Sequence, residues 1–226
     1  GVKCKNRFSY VKDFVDSFNH TRSSDVYFKV YVADTSTNEQ VASQIRNYIE
    51  NLKQPNTEVV YLRFHDASVT DLSNGILSEV YKWDKSSIPT IFMADEDLTF
   101  LKKGWDLKYI EALMNTPYKH LVFYDTRWRN PKSNVKKTVG GVSLVAKASA
   151  NSAQGAFFVL SSELLTKVGI YNNTLFPTKG GGHLNYTYRL YKALNLDTAH
   201  IFDVDNSESY LALQPRESYI STGNSL

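Results

Sequence analysis

A single cysteine, Cys4, stands in a chain of 226 residues. One thiol excludes an internal disulfide framework and a zinc–thiolate cluster. Long apolar runs are missing as well: none approaches the roughly 20 residues a membrane helix needs, and nothing at the start reads as a signal peptide. A soluble, cytoplasmic domain with no membrane span is the expectation. The chain begins without methionine and almost inside a strand-like segment, so further sequence is expected upstream. Charge of one sign is scarce too, with 26 Lys+Arg against 23 Asp+Glu and a net of +3. No basic block of the kind that tracks a phosphate backbone occurs, which argues against a nucleic-acid partner. Repeats, low-complexity tracts and linker-like shifts of composition are absent, so the whole length reads as one domain. At this size about 70% of the chain's surface can be buried, enough for a sizeable core. There is no Gly-x-Ser-x-Gly elbow, and Gly180-Gly181-Gly182 lacks the Lys-Ser/Thr of a P-loop. Serine-hydrolase and P-loop chemistry therefore lack support.

What is present is an alternation of periods. Phe8, Val11, Phe14, Val15 and Phe18 recur at helical spacing directly after the strand-like Val2-Lys3-Cys4. Residues 25–34 (DVYFKVYVAD) are β-branched and aromatic, and they end at Asp34-Thr-Ser-Thr-Asn38, a turn cluster able to cap a helix. Val41, Ile45, Tyr48 and Leu52 supply that helix. Residues 58–64 read as a strand, 72–81 as a helix and 89–94 (PTIFMA) as a short strand buried on both faces. This order predicts an α/β fold with a mainly parallel central sheet flanked by helices, whose ligand site lies at the carboxyl ends of the strands. After Asp97 the pattern loosens. A helix is expected at 105–114, a strand at 120–124 and an exposed connection at 128–134. Antiparallel strands are expected at 139–146 and 156–160, and helices at 161–168 and around Thr187 to Leu194.

The chemistry concentrates where Ile91-Phe-Met-Ala stops at Asp95-Glu96-Asp97. Three anions at a buried strand end repel one another, and an oxygen-seeking divalent cation, Mg²⁺ or Mn²⁺, would relieve that repulsion. In an extended chain Asp95 and Asp97 would point to one side. A solvated acidic turn is the competing reading. Asp34 ends an earlier strand and would open on the same edge, unless it serves only to cap the next helix. His183 follows the glycine triplet; an imidazole, ordinarily titrating near neutrality, could take a proton from a hydroxyl or simply be structural.

Taken in order, these segments resemble the nucleotide-sugar glycosyltransferases of the GT-A fold, family two in type, over nearly the whole chain. Val2-Lys-Cys-Lys-Asn6-Arg7 is similar to the first strand and its Asn-Arg turn, and Tyr31-Val-Ala-Asp34-Thr-Ser-Thr-Asn to the second-strand motif. Ala94-Asp95-Glu96-Asp97 resembles the DxD motif. Gly155-Ala-Phe-Phe and Leu165-Thr-Lys-Val-Gly169 resemble the strand and helix ahead of the acceptor site. Gly181-Gly182-His183-Leu-Asn185-Tyr-Thr-Tyr-Arg189 stands where the family has Gly-Glu-Asp-x-Asp-x-x-x-Arg.

The resemblance implies a single catalytic domain over 1–226, with 1–97 as nucleotide-binding half and 98–226 as acceptor-binding half. It implies transfer of a sugar from a nucleoside diphosphate sugar, UDP-linked rather than GDP-linked, to a hydroxyl acceptor such as a glycan. Asp34, Asp95 and the neighbouring Cys4 would belong to the donor pocket. Asp97 with Asp95 would hold Mn²⁺ or Mg²⁺, and His183 would occupy the position of the catalytic base. The family's late metal-binding histidine has no clear counterpart, although His200, Asp203 and Asp205 lie in that region. Two other readings stay open: a sugar-phosphate nucleotidyltransferase, and an inactive transferase-derived domain that binds carbohydrate.

Overall fold

Cys4 lies beside Asp34 on one flank of the first strand, and Lys3 lies beside Asp95 on the other, both in parallel register. These pairings come from a computed structural model, which describes residues 1–83, 89–127, 131, 133–172 and 182–215. In chain order the elements are β1 (Val2–Cys4), α1 (Phe8–Thr21), β2 (Phe28–Asp34), α2 (Glu39–Tyr48), β3 (Thr57–Arg63) and α3 (Val69–Tyr81). Next come β4 (Thr90–Asp95), β5 (Leu98–Phe100), α4 (Trp105–Asn115), β6 (His120–Val122), β7 (Val135–Val139) and β8 (Val142–Ala148). The last are β9 (Phe157–Ser161), α5 (Ser162–Val168), α6 (Gly182–Ala193), β10 (Ile201–Val204) and β11 (Leu211–Leu213).

The central sheet runs β3-β2-β1-β4-β9-β6. Its first four strands are mutually parallel, while β9 is antiparallel to both β4 and β6. The mixed, mainly parallel sheet expected from the sequence is what forms. Crossovers after β1 and β2 carry the chain outward to β3, and β4 then returns to the other side of β1. That reversal opens a crevice at the carboxyl ends of β1 and β4, the position where open α/β sheets bind ligands.

Two small antiparallel sheets, β10-β8-β7 and β11-β5, complete the fold. The strand expected at 156–160 forms as β9, but the one expected at 139–146 is broken by a turn: Val139 ends β7 and β8 begins at Val142. β8 makes a hairpin with β7, whose two-residue turn Gly140-Gly141 has positive φ at both positions, 56° and 78°, a hand that glycine adopts without a Cβ clash. β9 instead enters the central sheet. Much of the expected exposed connection, residues 128–130 and 132, lies outside the described residues, as do Gly180 and Gly181.

One buried cluster runs from Val2 to Leu211 and crosses residue 97 without a break. Its hub is Trp105, 1% exposed, whose ring lies 4.3 Å from Phe100, 5.3 Å from Phe92 and 6.2 Å from Phe157 between centroids. Aromatic pairs of this kind contribute about 0.5–1.5 kcal/mol each beyond the area they bury. α1 joins through Phe14 and Phe18, so its apolar face does what its periodicity announced. Among the described residues no helix is long and apolar enough to cross a membrane.

Candidate active site at the strand ends

β4 ends at Asp95, and Glu96-Asp97 form the turn into β5. The alternation expected for Asp95 and Asp97 in an extended chain therefore does not apply, because the chain leaves the strand between them. Nor is the turn a solvated one: Glu96 is 7% exposed and Asp97 1%. Burial, reinforced by Asp95 and then Asp97, pushes the Glu96 carboxyl up to about 7, even with the Arg7 guanidinium 3.3 Å away. Asp95 Oδ1 meets the Lys3 ammonium at 2.8 Å. The turn is anchored through its backbone. Asp95 N–H donates to Ala156 O at 2.7 Å, Glu96 N–H to Lys3 O at 3.1 Å, and Gln214 N–H to Asp97 O at 2.7 Å.

Across β1, Asp34 is fully buried. Its Oδ1 accepts from the Ser36 N–H at 2.8 Å and hydroxyl at 2.6 Å, and its Oδ2 accepts from the Tyr61 hydroxyl at 2.6 Å. Asp34 is thus the organiser of its loop, not the helix cap; Asn38 caps α2 by accepting from Gln40 and Val41 N–H. Arg63 ties the loop down by donating to the Asp34 and Ser36 carbonyls and to Glu39 Oε1. Asn6, held at φ 53°, accepts from Thr37 and Asn38 N–H through Oδ1. Cys4 reaches this edge through its backbone, its carbonyl accepting from Thr35 N–H. The thiol itself is 1% exposed and donates to Ala33 O at 3.6 Å, and burial, with Asp34 and Glu96 nearby, holds it well above the ordinary thiol range.

His183 comes to the same edge by packing. A Cβ placed on Gly155 would lie 2.7–2.9 Å from three atoms of the His183 ring, so the ring occupies the space that a side chain at 155 would need. Gly155 immediately precedes Ala156, the partner of Asp95. His183 Nε2 lies 2.9 Å from Ala153 O. A carbonyl only accepts, so Nε2 carries the proton in the neutral ring and Nδ1 carries the lone pair.

No protein-family model matches the chain. An uncharacterized glycosyltransferase of Acanthamoeba polyphaga mimivirus is 27% identical over 123 residues, 54% of this chain and 45% of that protein. The structure of Staphylococcus aureus TarS superposes with a TM-score of 0.62 at 17% identity over 95% of this chain, which spans 36% of the TarS chain. A structure of TarS 1–349 gives 0.56 at 14% identity, over 97% of this chain and 61% of that one. The chain has the GT-A fold. It spans less than half of the mimivirus relative.

Within this GT-A framework the helix carrying His183 is fixed by a residue that motif reading passed over. His120 on β6 has Nδ1 3.0 Å from Val159 O and Nε2 3.0 Å from Thr187 Oγ1, one turn beyond His183 on α6. The carbonyl fixes the proton on Nδ1, so Nε2 accepts from the threonine. Burial holds this ring neutral, its pKa lowered to about 4. Between pH 6.5 and 4 the unfolded chain binds a proton that the folded chain refuses, so this group's contribution to stability falls as pH falls. Relative to His120→Gln, the natural chain should lose about 3 kcal/mol across that window, read from urea unfolding at each pH. Parallel stability profiles for the two chains would refute it.

His200, Asp203 and Asp205 are engaged elsewhere. His200 pairs with Asp197 at 2.9 Å and Asp205 with Lys136 at 3.1 Å, while buried Asp203 accepts from the Tyr109 hydroxyl at 2.7 Å. Burial raises the Asp203 carboxyl to about 7. Among the described residues no three His, Cys, Asp or Glu side chains gather closely enough to hold a metal. A cavity of about 200 Å³ lined by Tyr118, Lys137, His200 and Phe202 sits over the β10-β8-β7 sheet, away from the strand-end carboxylates.

Proposed function

We propose that this chain is the catalytic domain of a metal-dependent glycosyltransferase that moves a sugar from a nucleoside diphosphate, UDP by preference, to a hydroxyl acceptor such as a glycan. Residues 1–97 would hold the nucleotide and residues 98–226 the acceptor. The observation that carries this reading is the largely buried acidic turn Asp95-Glu96-Asp97 at the β1/β4 crevice, bonded through its backbone to Ala156, beside the Gly155 on which the His183 ring packs. The similarity to a glycosyltransferase of a giant virus supports it.

The donor set suits a hard divalent cation. Asp95 and Asp97 offer carboxylate oxygens at a strand end, with Asp97 itself buried. Asp97, with Asp95, would hold Mn²⁺ or Mg²⁺, and the donor's phosphates and water would complete the shell. Such an ion supplies charge stabilisation for the departing diphosphate. His183 Nδ1 would take the proton as the acceptor oxygen forms its bond to the anomeric carbon and the bond from that carbon to the diphosphate breaks. The nucleotide half would be shaped by the loops that Asn6, Asp34 and Arg63 hold rigid.

The test is a panel of UDP- and GDP-sugars with Mn²⁺, followed as nucleoside diphosphate release with and without acceptor. Donor-dependent release that stops in chelator is the expected result. Pyrophosphate release from a nucleoside triphosphate and a sugar phosphate would favour the nucleotidyltransferase reading instead. Its usual glycine-rich triphosphate loop is missing from Val2-Lys-Cys-Lys-Asn-Arg. Carbohydrate binding without any turnover would leave only a binding domain.

A further inference from the structure

Lys3 is the least expected residue of the site. It lies in the middle of β1, flanked on both sides by parallel strands, where side chains are normally aliphatic. Its side chain is 5% exposed, yet it ends in an ammonium 2.8 Å from Asp95 Oδ1, whose own side chain is 18% exposed. A buried cation persists only when paired, so this contact fixes Lys3 and Asp95 together. One oxygen of Asp95 is thereby committed to a charge-assisted hydrogen bond before any ligand arrives. A dication approaching Asp95 would meet that ammonium at close range.

We propose that Lys3 makes divalent-cation binding at the strand-end carboxylates conditional on the donor's diphosphate, by neutralising Asp95 in the ligand-free chain. This rests on the metal-dependent reading above. Asp97 then carries the ion's main protein contact, and the charge needed to hold it tightly arrives with the nucleoside diphosphate. Coupling of this kind is reciprocal: whatever UDP adds to Mn²⁺ affinity, Mn²⁺ adds to UDP affinity. The metal would enter with the donor and not ahead of it.

The experiment measures Mn²⁺ binding to the whole chain by electron paramagnetic resonance of the free ion, with and without UDP, after thermal melting has shown each variant folded. Lys3→Gln should bind Mn²⁺ alone about tenfold or more tighter than the natural chain, and the enhancement by UDP should shrink by the same factor. Lys3→Met/Asp95→Asn removes both buried charges and so folds without an uncompensated ion. It should bind Mn²⁺ alone within about threefold of the natural chain. Two results overturn the role of Lys3 alone: unchanged or weaker Mn²⁺ binding by Lys3→Gln, or a tenfold loss in the double variant, while the natural chain still binds Mn²⁺ with UDP. Failure of every chain to bind Mn²⁺, with UDP or without, overturns the metal reading itself and this inference with it.

Discussion

Asp97→Asn is expected to lower sugar transfer by roughly 10²–10³-fold and to abolish Mn²⁺-dependent donor binding, while the melting temperature moves little. The substitution keeps the shape of a side chain that is 1% exposed and removes only its charge. The turn is also held through its backbone, which the substitution leaves in place. Asp97 contributes its carbonyl to Gln214, and β5 is held by pairing with β11. What is lost is the anion that would anchor the cation facing the diphosphate, where charge builds up as the leaving group departs. Asp97→Ala should behave in the same way with a larger loss. Full turnover by the natural chain in chelator would remove Asp97 and Asp95 from a metal role altogether.

For His183 the expected effect lies on turnover. His183→Ala should reduce kcat by about 10²–10⁴-fold, the range for losing a positioned base, with donor KM nearly unchanged. A geometric companion is Gly155→Ala. Its Cβ would fall 2.7–2.9 Å from the ring, so His183 must swing away and give up its bond to Ala153 O. Turnover should fall while the base itself is still present, and donor KM should again hold. A change confined to donor affinity in either variant would show that His183 belongs to the donor pocket and is not the base.

The parts of this molecule that were legible in the sequence share a physical property: each is written in local periodicity. α1 shows in Phe8, Val11, Phe14, Val15 and Phe18, and β2 and β3 in their runs of β-branched and aromatic residues. With three strands and their helices in hand, the parallel sheet followed. β5, β10 and β11 have three or four residues each, too few to display a period, and they exist because distant partners pair with them. The partner choice of β8 and β9 was likewise undecidable locally. Both are apolar, and only the space beside β4 determined which one completed the central sheet.

The same division runs through the candidate site. By itself the sequence determined that acidic residues terminate β2 and β4, that a helical pattern follows His183, and that the fold is α/β with its ligand edge at the strand ends. Tertiary structure decided what those residues can do. Asp34 became the buried centre of a loop because Tyr61, 27 positions away, reaches its Oδ2. Asp95 became half of an ion pair because β1 and β4 lie side by side, which put Lys3 against it. His183 packs over the backbone beside Ala156, the partner of Asp95, only because residue 155 has no side chain to exclude its ring. Charge and reactivity depend on distances of a few ångströms between groups far apart in the chain, and no spacing along the sequence encodes those distances.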